Sequence, residues 1–144
     1  MKKCYIAVIE RDRRDNFDSV YLVSGCMNAV DLPTCRVDDD TKLQDALSVA
    51  LEYKAGIRYS GEFTLAGAVT TVKETGEREQ CDIYVCESEQ CSWNVLHKFT
   101  HYKLTVDARW DAPYIVFREI GAEIRTLLKL YCQNAPTLTT IEFK

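Results

Sequence analysis

No apolar run in this 144-residue chain approaches the roughly 20 residues that a membrane-crossing helix needs, so no membrane partner is expected. The opening Lys2-Lys3 is followed by an apolar stretch from Cys4 to Ile9. Export signals need an apolar region of about 7–15 residues and a small-residue cleavage site, so this stretch reads as a first β-strand and the protein as cytoplasmic. A basic surplus is missing too. The 18 Lys and Arg against 22 Asp and Glu leave a net charge of -4, which disfavours broad attraction to nucleic acid or acidic lipid. Linkers, repeats and low-complexity tracts are absent, and the length suits one domain over 1–144. There is no Gly-rich phosphate loop and no Gly-x-Ser-x-Gly motif.

Seven cysteines are present: Cys4, Cys26, Cys35, Cys81, Cys86, Cys91 and Cys132. Their odd number and scatter suit reduced thiols rather than a disulfide framework. Cys86, Cys91, His97 and His101 have a spacing that raises zinc. However, about a dozen residues usually part the Cys pair from the His pair, and 98–106 reads as a strand, so thiols on sheet faces are the plainer reading. No metal or cofactor is implied. Arg11, Arg13 and Arg14, with Lys2 and Lys3, form the one basic cluster. It reads either as a charged hairpin tip or as a phosphate or RNA contact.

Periodicity organises the rest. Cys4–Glu10 and Ser19–Ser24 are β-rich and read as a hairpin. The clearest helix is Lys42–Lys54, with Leu43, Ala46, Leu47, Ala50 and Leu51 on one side, a capping box at Thr41 and Gln44, and Gly56 as the left-handed stop. Strands are predicted over Glu62–Lys73 and Cys81–Cys86, joined through Glu74–Glu77, and over about Trp93–Val106. A second helix is predicted over Phe117–Cys132, and an edge strand over Leu138–Phe143. The fold class is therefore α/β (α+β), with sheet and helices sharing one core.

The segment from Leu32-Pro33 through Val37-Asp38 and the Ala46-centred helix to Gly56-Ile57 resembles the loop–helix–loop of the Nudix family, without a gap. The resemblance implies a Nudix-like mixed β-sheet sandwiched between helices. On the same register the family's loop glycines fall on Thr34 and Cys35, its loop glutamate on Thr41 and its arginine on Val49. Its three helix glutamates fall on Ala50, Tyr53 and Lys54. Nudix hydrolysis uses divalent cations held by carboxylates, and none of these side chains offers one. Asp38, Asp39 and Asp40 read as a solvated loop before the helix, or as a chelating loop.

The resemblance then implies a non-catalytic binding protein, a pseudoenzyme with no catalytic residues and no metal. Its partner would be a protein first, or a nucleotide or RNA, with oligomeric state open. Arg36, Tyr53, Lys54 and Trp110 are the candidate ligand-binding residues, lysine for phosphate and aromatics for a base. Alternatively Tyr53 fills core and Lys54 snorkels at the helix end. One rival is a divergent metal-dependent nucleoside-diphosphate hydrolase with relocated carboxylates, Glu52 with Glu62, Glu74 or Glu77. Another is a structural or inhibitory interaction protein that ignores the groove.

Overall fold

The computed structural model describes residues 2–11, 18–24, 30–38, 42–72, 74–93, 101–106, 121–133 and 139–143. In chain order these form β1 (Lys2–Glu10), β2 (Ser19–Ser24), β3 (Val30–Asp31), β4 (Thr34–Val37), α1 (Leu43–Ala55), β5 (Ile57–Tyr59), β6 (Thr64–Val72) and β7 (Arg78–Glu87). There follow β8 (Cys91–Trp93), β9 (His101–Thr105), α2 (Gly121–Cys132) and β10 (Thr139–Phe143). Trp110, His97, Arg13, Arg14, Asp39, Asp40 and Thr41 lie outside the described residues.

The main sheet is mixed, in the order β10-β6-β7-β1-β2-β3, with β4 on β1 and β9 on β2. β1 and β7 run parallel, as do β10 and β6, while the other pairs are antiparallel. β5 and β8 make a separate antiparallel pair.

Alternation along β1 sets up two apolar layers. Tyr5, Ala7 and Ile9 pack with Ile124, Leu127 and Leu128 of α2. Cys4, Ile6 and Val8 pack with Leu47, Ala50, Leu51 and Ala55 of α1. A strand buried on both faces must be apolar throughout, which is why Cys4–Ile9 carries no polar break other than the Tyr5 hydroxyl. The sheet thus lies between the helices, as expected for a Nudix-like sandwich.

Most described bounds move slightly from the sequence-based expectations, but the strand expected over about Trp93–Val106 is divided: Trp93 ends β8, paired with β5, while His101–Thr105 is β9 on β2. The predicted capping partner Thr41 lies outside the described residues, and Gln44 reaches to another segment. Its amide nitrogen donates to the Phe63 carbonyl at 3.2 Å, and its amide oxygen accepts from the Phe63 N–H at 2.7 Å, so the side chain behaves like a strand partner for the approach to β6. Lys42 precedes α1 without a side-chain cap bond. At the other end Gly56 takes φ 67° and its N–H donates to the Glu52 carbonyl, the left-handed stop anticipated from the sequence. The stretch through Val72 and Glu74 to Gly76 is a hairpin turn, with Gly76 at φ 83° between β6 and β7.

Candidate active site

β1 changes partner along its length, and that change opens the sheet. Its first four residues pair with β4: Lys2 with Val37, Lys3 with Arg36, Cys4 with Cys35, Tyr5 with Thr34. Its last two pair with β2, Ile9 with Val20 and Glu10 with Ser19. Leu32 and Pro33 cross this fork, both buried, and the Pro33 carbonyl accepts the Ile6 N–H at 2.8 Å. Asp31, on β3, stands on one side of the crossing and Thr34 on the other.

Asp31 is the group this arrangement singles out. Its carboxyl oxygen accepts the Leu32 N–H at 2.7 Å. Burial pushes its pKa up to about 6, against the Leu32 N–H and the ammonium groups of Lys3 and Lys54, which favour the charged form. A carboxyl poised there can give and take a proton near neutral pH. Sequence reasoning did not identify Asp31. The only sequence signal was an acid directly before the Leu-Pro pair, and its chemistry comes from the fork.

The Lys3 and Lys54 ammonium groups act on it. The Lys54 ammonium, at the last turn of α1, donates to the Thr34 carbonyl and lies 3.5 Å from the Thr34 hydroxyl. It therefore ties helix end to loop at the position where the family register places a glutamate. The Lys3 ammonium sits 4.9 Å from the centre of the Tyr5 ring. Arg36 is the cross-strand partner of Lys3 and its guanidinium lies 3.5 Å from Glu79. Tyr53 is 80% exposed, so it does not fill core, and its ring is open to solvent on α1. Of the four candidate ligand residues, Arg36 and Lys54 lie around the fork, Tyr53 lies one residue from Lys54, and Trp110 falls outside the described residues.

The acids named for relocation do not form a metal centre. Glu52 is bonded at 2.8 Å to Arg58, and Glu62, Glu74 and Glu77 are exposed. Among the described residues no group of three or more His, Cys, Asp or Glu side chains could hold a metal ion. His101 binds the Ala55 carbonyl at 2.5 Å through Nε2, which commits one nitrogen of the ring.

Two cavities of about 310 Å³ lie elsewhere. One opens at the carboxyl ends of the parallel strands β1 and β7, lined by Glu10, Arg11, Tyr21, Glu87, Ser88, Glu89 and Trp93. The other lies between α1 and the segment before β6, lined by Gln44, Asp45, Ser48, Tyr59 and Glu62 among others. Arg11 is no loose hairpin tip. It donates to both Glu87 carboxylate oxygens, at 3.1 and 3.3 Å, and to the Cys132 carbonyl at 3.0 Å.

The sheet order, the two flanking helices and the loop–helix–loop at the fork define a Nudix fold. The whole-chain comparison of solved structures agrees. The chain is similar to the mutator protein MutT of Bacillus halodurans (TM-score 0.66, 12% identity, 99% of this chain and 90% of that one). It is also similar to the Nudix hydrolase RenU of M. smegmatis (TM-score 0.62, 14% identity, 94% and 88%). A third likeness is to the NUDIX domain of Shewanella oneidensis NrtR, complexed with ADP ribose (TM-score 0.60, 11% identity, 91% and 87%). No family model matches the sequence, and no curated protein matches it.

These likenesses overturn the expectation of a chain without enzymatic activity. Solved chains that share the fold along most of their length are hydrolases, RenU among them. Missing glutamates at one set of positions do not by themselves exclude the reaction. Cleaving a phosphoanhydride requires positive charge on the phosphates and a proton acceptor, and neither has to come from those positions. The family's divalent cation is a separate matter, and the residues do not fit it. Ala50 offers a buried methyl group, Tyr53 an outward ring, and Lys54 an ammonium already seated on the loop carbonyl.

Proposed function

We propose that this chain hydrolyses the phosphoanhydride of a nucleoside-diphosphate compound at the fork between β3 and β4. Asp31 is the relocated carboxylate of that site. The observation that carries the reading is the placement of the half-buried Asp31 carboxyl at the fork, on the Leu32 N–H and within the field of Lys3 and Lys54, in a Nudix fold. Lys54, Lys3 and Arg36 hold the phosphates. Arginine offers a planar pair of N–H donors to phosphate oxygens, and lysine a compact charge that neutralises the leaving group as the bond breaks. Asp31 accepts the proton of the attacking water, and its acid form can return a proton to the departing phosphate oxygen. Tyr53 presents an open ring on which a base stacks. The NrtR domain was solved with ADP ribose, which makes that compound the first substrate to try.

The experiment is product analysis by chromatography with ADP-ribose, NAD and nucleoside diphosphate sugars, each with and without Mg²⁺ or Mn²⁺. Release of nucleoside monophosphate is expected. Asp31→Asn should lower kcat by roughly 10²–10⁴-fold with little change in KM, because the base acts in the chemical step. Lys54→Ala should raise KM. Wild-type protein that turns over none of these compounds under either condition, or an Asp31→Asn protein as active as wild type, would sink the proposal.

A further inference from the structure

The Cys86 and Cys91 sulfurs lie 3.9 Å apart, joined by the short 3-10 turn Ser88–Gln90. Cys86 ends the buried part of β7, while Cys91 opens β8 and is partly exposed. Its sulfur also lies 3.4 Å from the Glu87 carbonyl. A disulfide brings two sulfurs to about 2.05 Å, so each side chain has to move by about an ångström. Cys86 pairs with Val8 and Cys91 with Tyr59, but the turn between them belongs to no ladder and can take up that shift. Cys4 and Cys35 make an instructive contrast. They face each other directly across β1 and β4, in a fixed register with no turn between them to take up the shift.

We infer that Cys86 and Cys91 form a thiol–disulfide exchange site, in which Cys91 attacks a low-molecular-weight disulfide and Cys86 resolves the product. The Cys91 thiolate displaces one thiolate from the reagent, giving a mixed disulfide on Cys91. Cys86 then loses its proton and attacks the Cys91 sulfur, expelling the second thiolate. Two protein thiols are oxidised, one reagent disulfide is reduced to two thiols, and the two protein protons end on those thiols. The order follows from exposure, since only Cys91 is open to the reagent. The hydrogen bond from Cys86 lowers the Cys91 pKa, while sharing its proton with Cys91 and burial raise that of Cys86. The link would pin the turn that carries Glu87, Ser88 and Glu89, and with it one wall of the cavity that Trp93 also lines.

The test is titration of the full chain with oxidised glutathione, followed by alkylation and peptide mapping by mass spectrometry. The expected product is a Cys86–Cys91 link with loss of two free thiols, formed before any Cys4–Cys35 link. Cys86→Ser should trap glutathione on Cys91, and Cys91→Ser should leave Cys86 unmodified. Persistent glutathione on Cys91 in the wild type would overturn the inference. So would earlier linkage of Cys4 to Cys35, or glutathione on Cys86 in the Cys91→Ser protein. The wild-type map decides the matter even where a variant folds poorly.

Discussion

Asp31 couples the site to stability in a direction opposite to the usual surface carboxylate. In the folded protein it keeps its proton up to about pH 6, whereas the ordinary carboxyl value is 3.8. Between those values the folded state binds more protons than the unfolded one, so stability falls as pH rises through that window and stays low above it. Replacing Asp31 with Asn removes the cost of ionising a half-buried acid while keeping an oxygen for the Leu32 N–H. The variant should therefore be more stable than wild type at pH 8 by about 2 kcal/mol, less than the full displacement implies because the carboxyl keeps some contact with water. Urea titration at pH 4 and pH 8 checks this, with the advantage expected only at the higher pH. Equal stability at pH 8 would mean that Asp31 is better solvated than its position suggests. A carboxyl that destabilises the fold in its charged form but sits beside two lysines fits the role proposed for Asp31.

The loop–helix–loop shows how far one element can be understood from its own residues. Helix α1 was legible because its apolar spacing, its left-handed Gly56 stop and its gapless length are local properties. The Leu32-Pro33 crossing was visible as a motif. Its consequence, a fork that half-buries Asp31, was not, because it depends on β1 pairing with β4 at one end and with β2 at the other. Parallel pairing of β1 with β7 was equally hidden, since a long crossover leaves no local mark. The long-range bonds of Gln44 were hidden for a related reason. Its spacing from Thr41 matches a capping box, but its amide bonds the carbonyl and N–H of Phe63, 19 residues away. Gln44→Ala should cost about 1–2 kcal/mol by leaving the Phe63 N–H and carbonyl without their partner. Gln44→Glu should lose the donated bond to the carbonyl and keep the accepted one, a smaller loss. Thermal melts of the two variants give the order, and equal melting temperatures for Gln44→Ala and wild type would show that water replaces the amide fully.

At the scale of the whole molecule, the sheet is closed on one side by a strand that comes from far along the chain. β10 runs parallel to β6 in the register Thr139 with Gly67 through Phe143 with Thr71, and it is the outermost strand of the order. Without it β6, nine residues long, becomes the edge. β6 includes Leu65, Ala66, Gly67, Ala68 and Val69 and carries no charge and no proline, so apart from the irregularity between Leu65 and Gly67 nothing on it discourages pairing with another chain. Removal of residues 139–144 should therefore produce concentration-dependent self-association, measured by light scattering across a dilution series. The effect should exceed what lost packing alone produces, and a second change separates the two. A Thr70→Lys substitution in the truncated protein puts a charge on the new edge without restoring β10, so it should return the protein towards a monomer while leaving its melting temperature low. If the truncated protein stays monomeric at every concentration, β10 serves only to pack the sheet. If Thr70→Lys leaves the association unchanged, the copies meet through another surface, and the exposed edge of β6 is not what joins them.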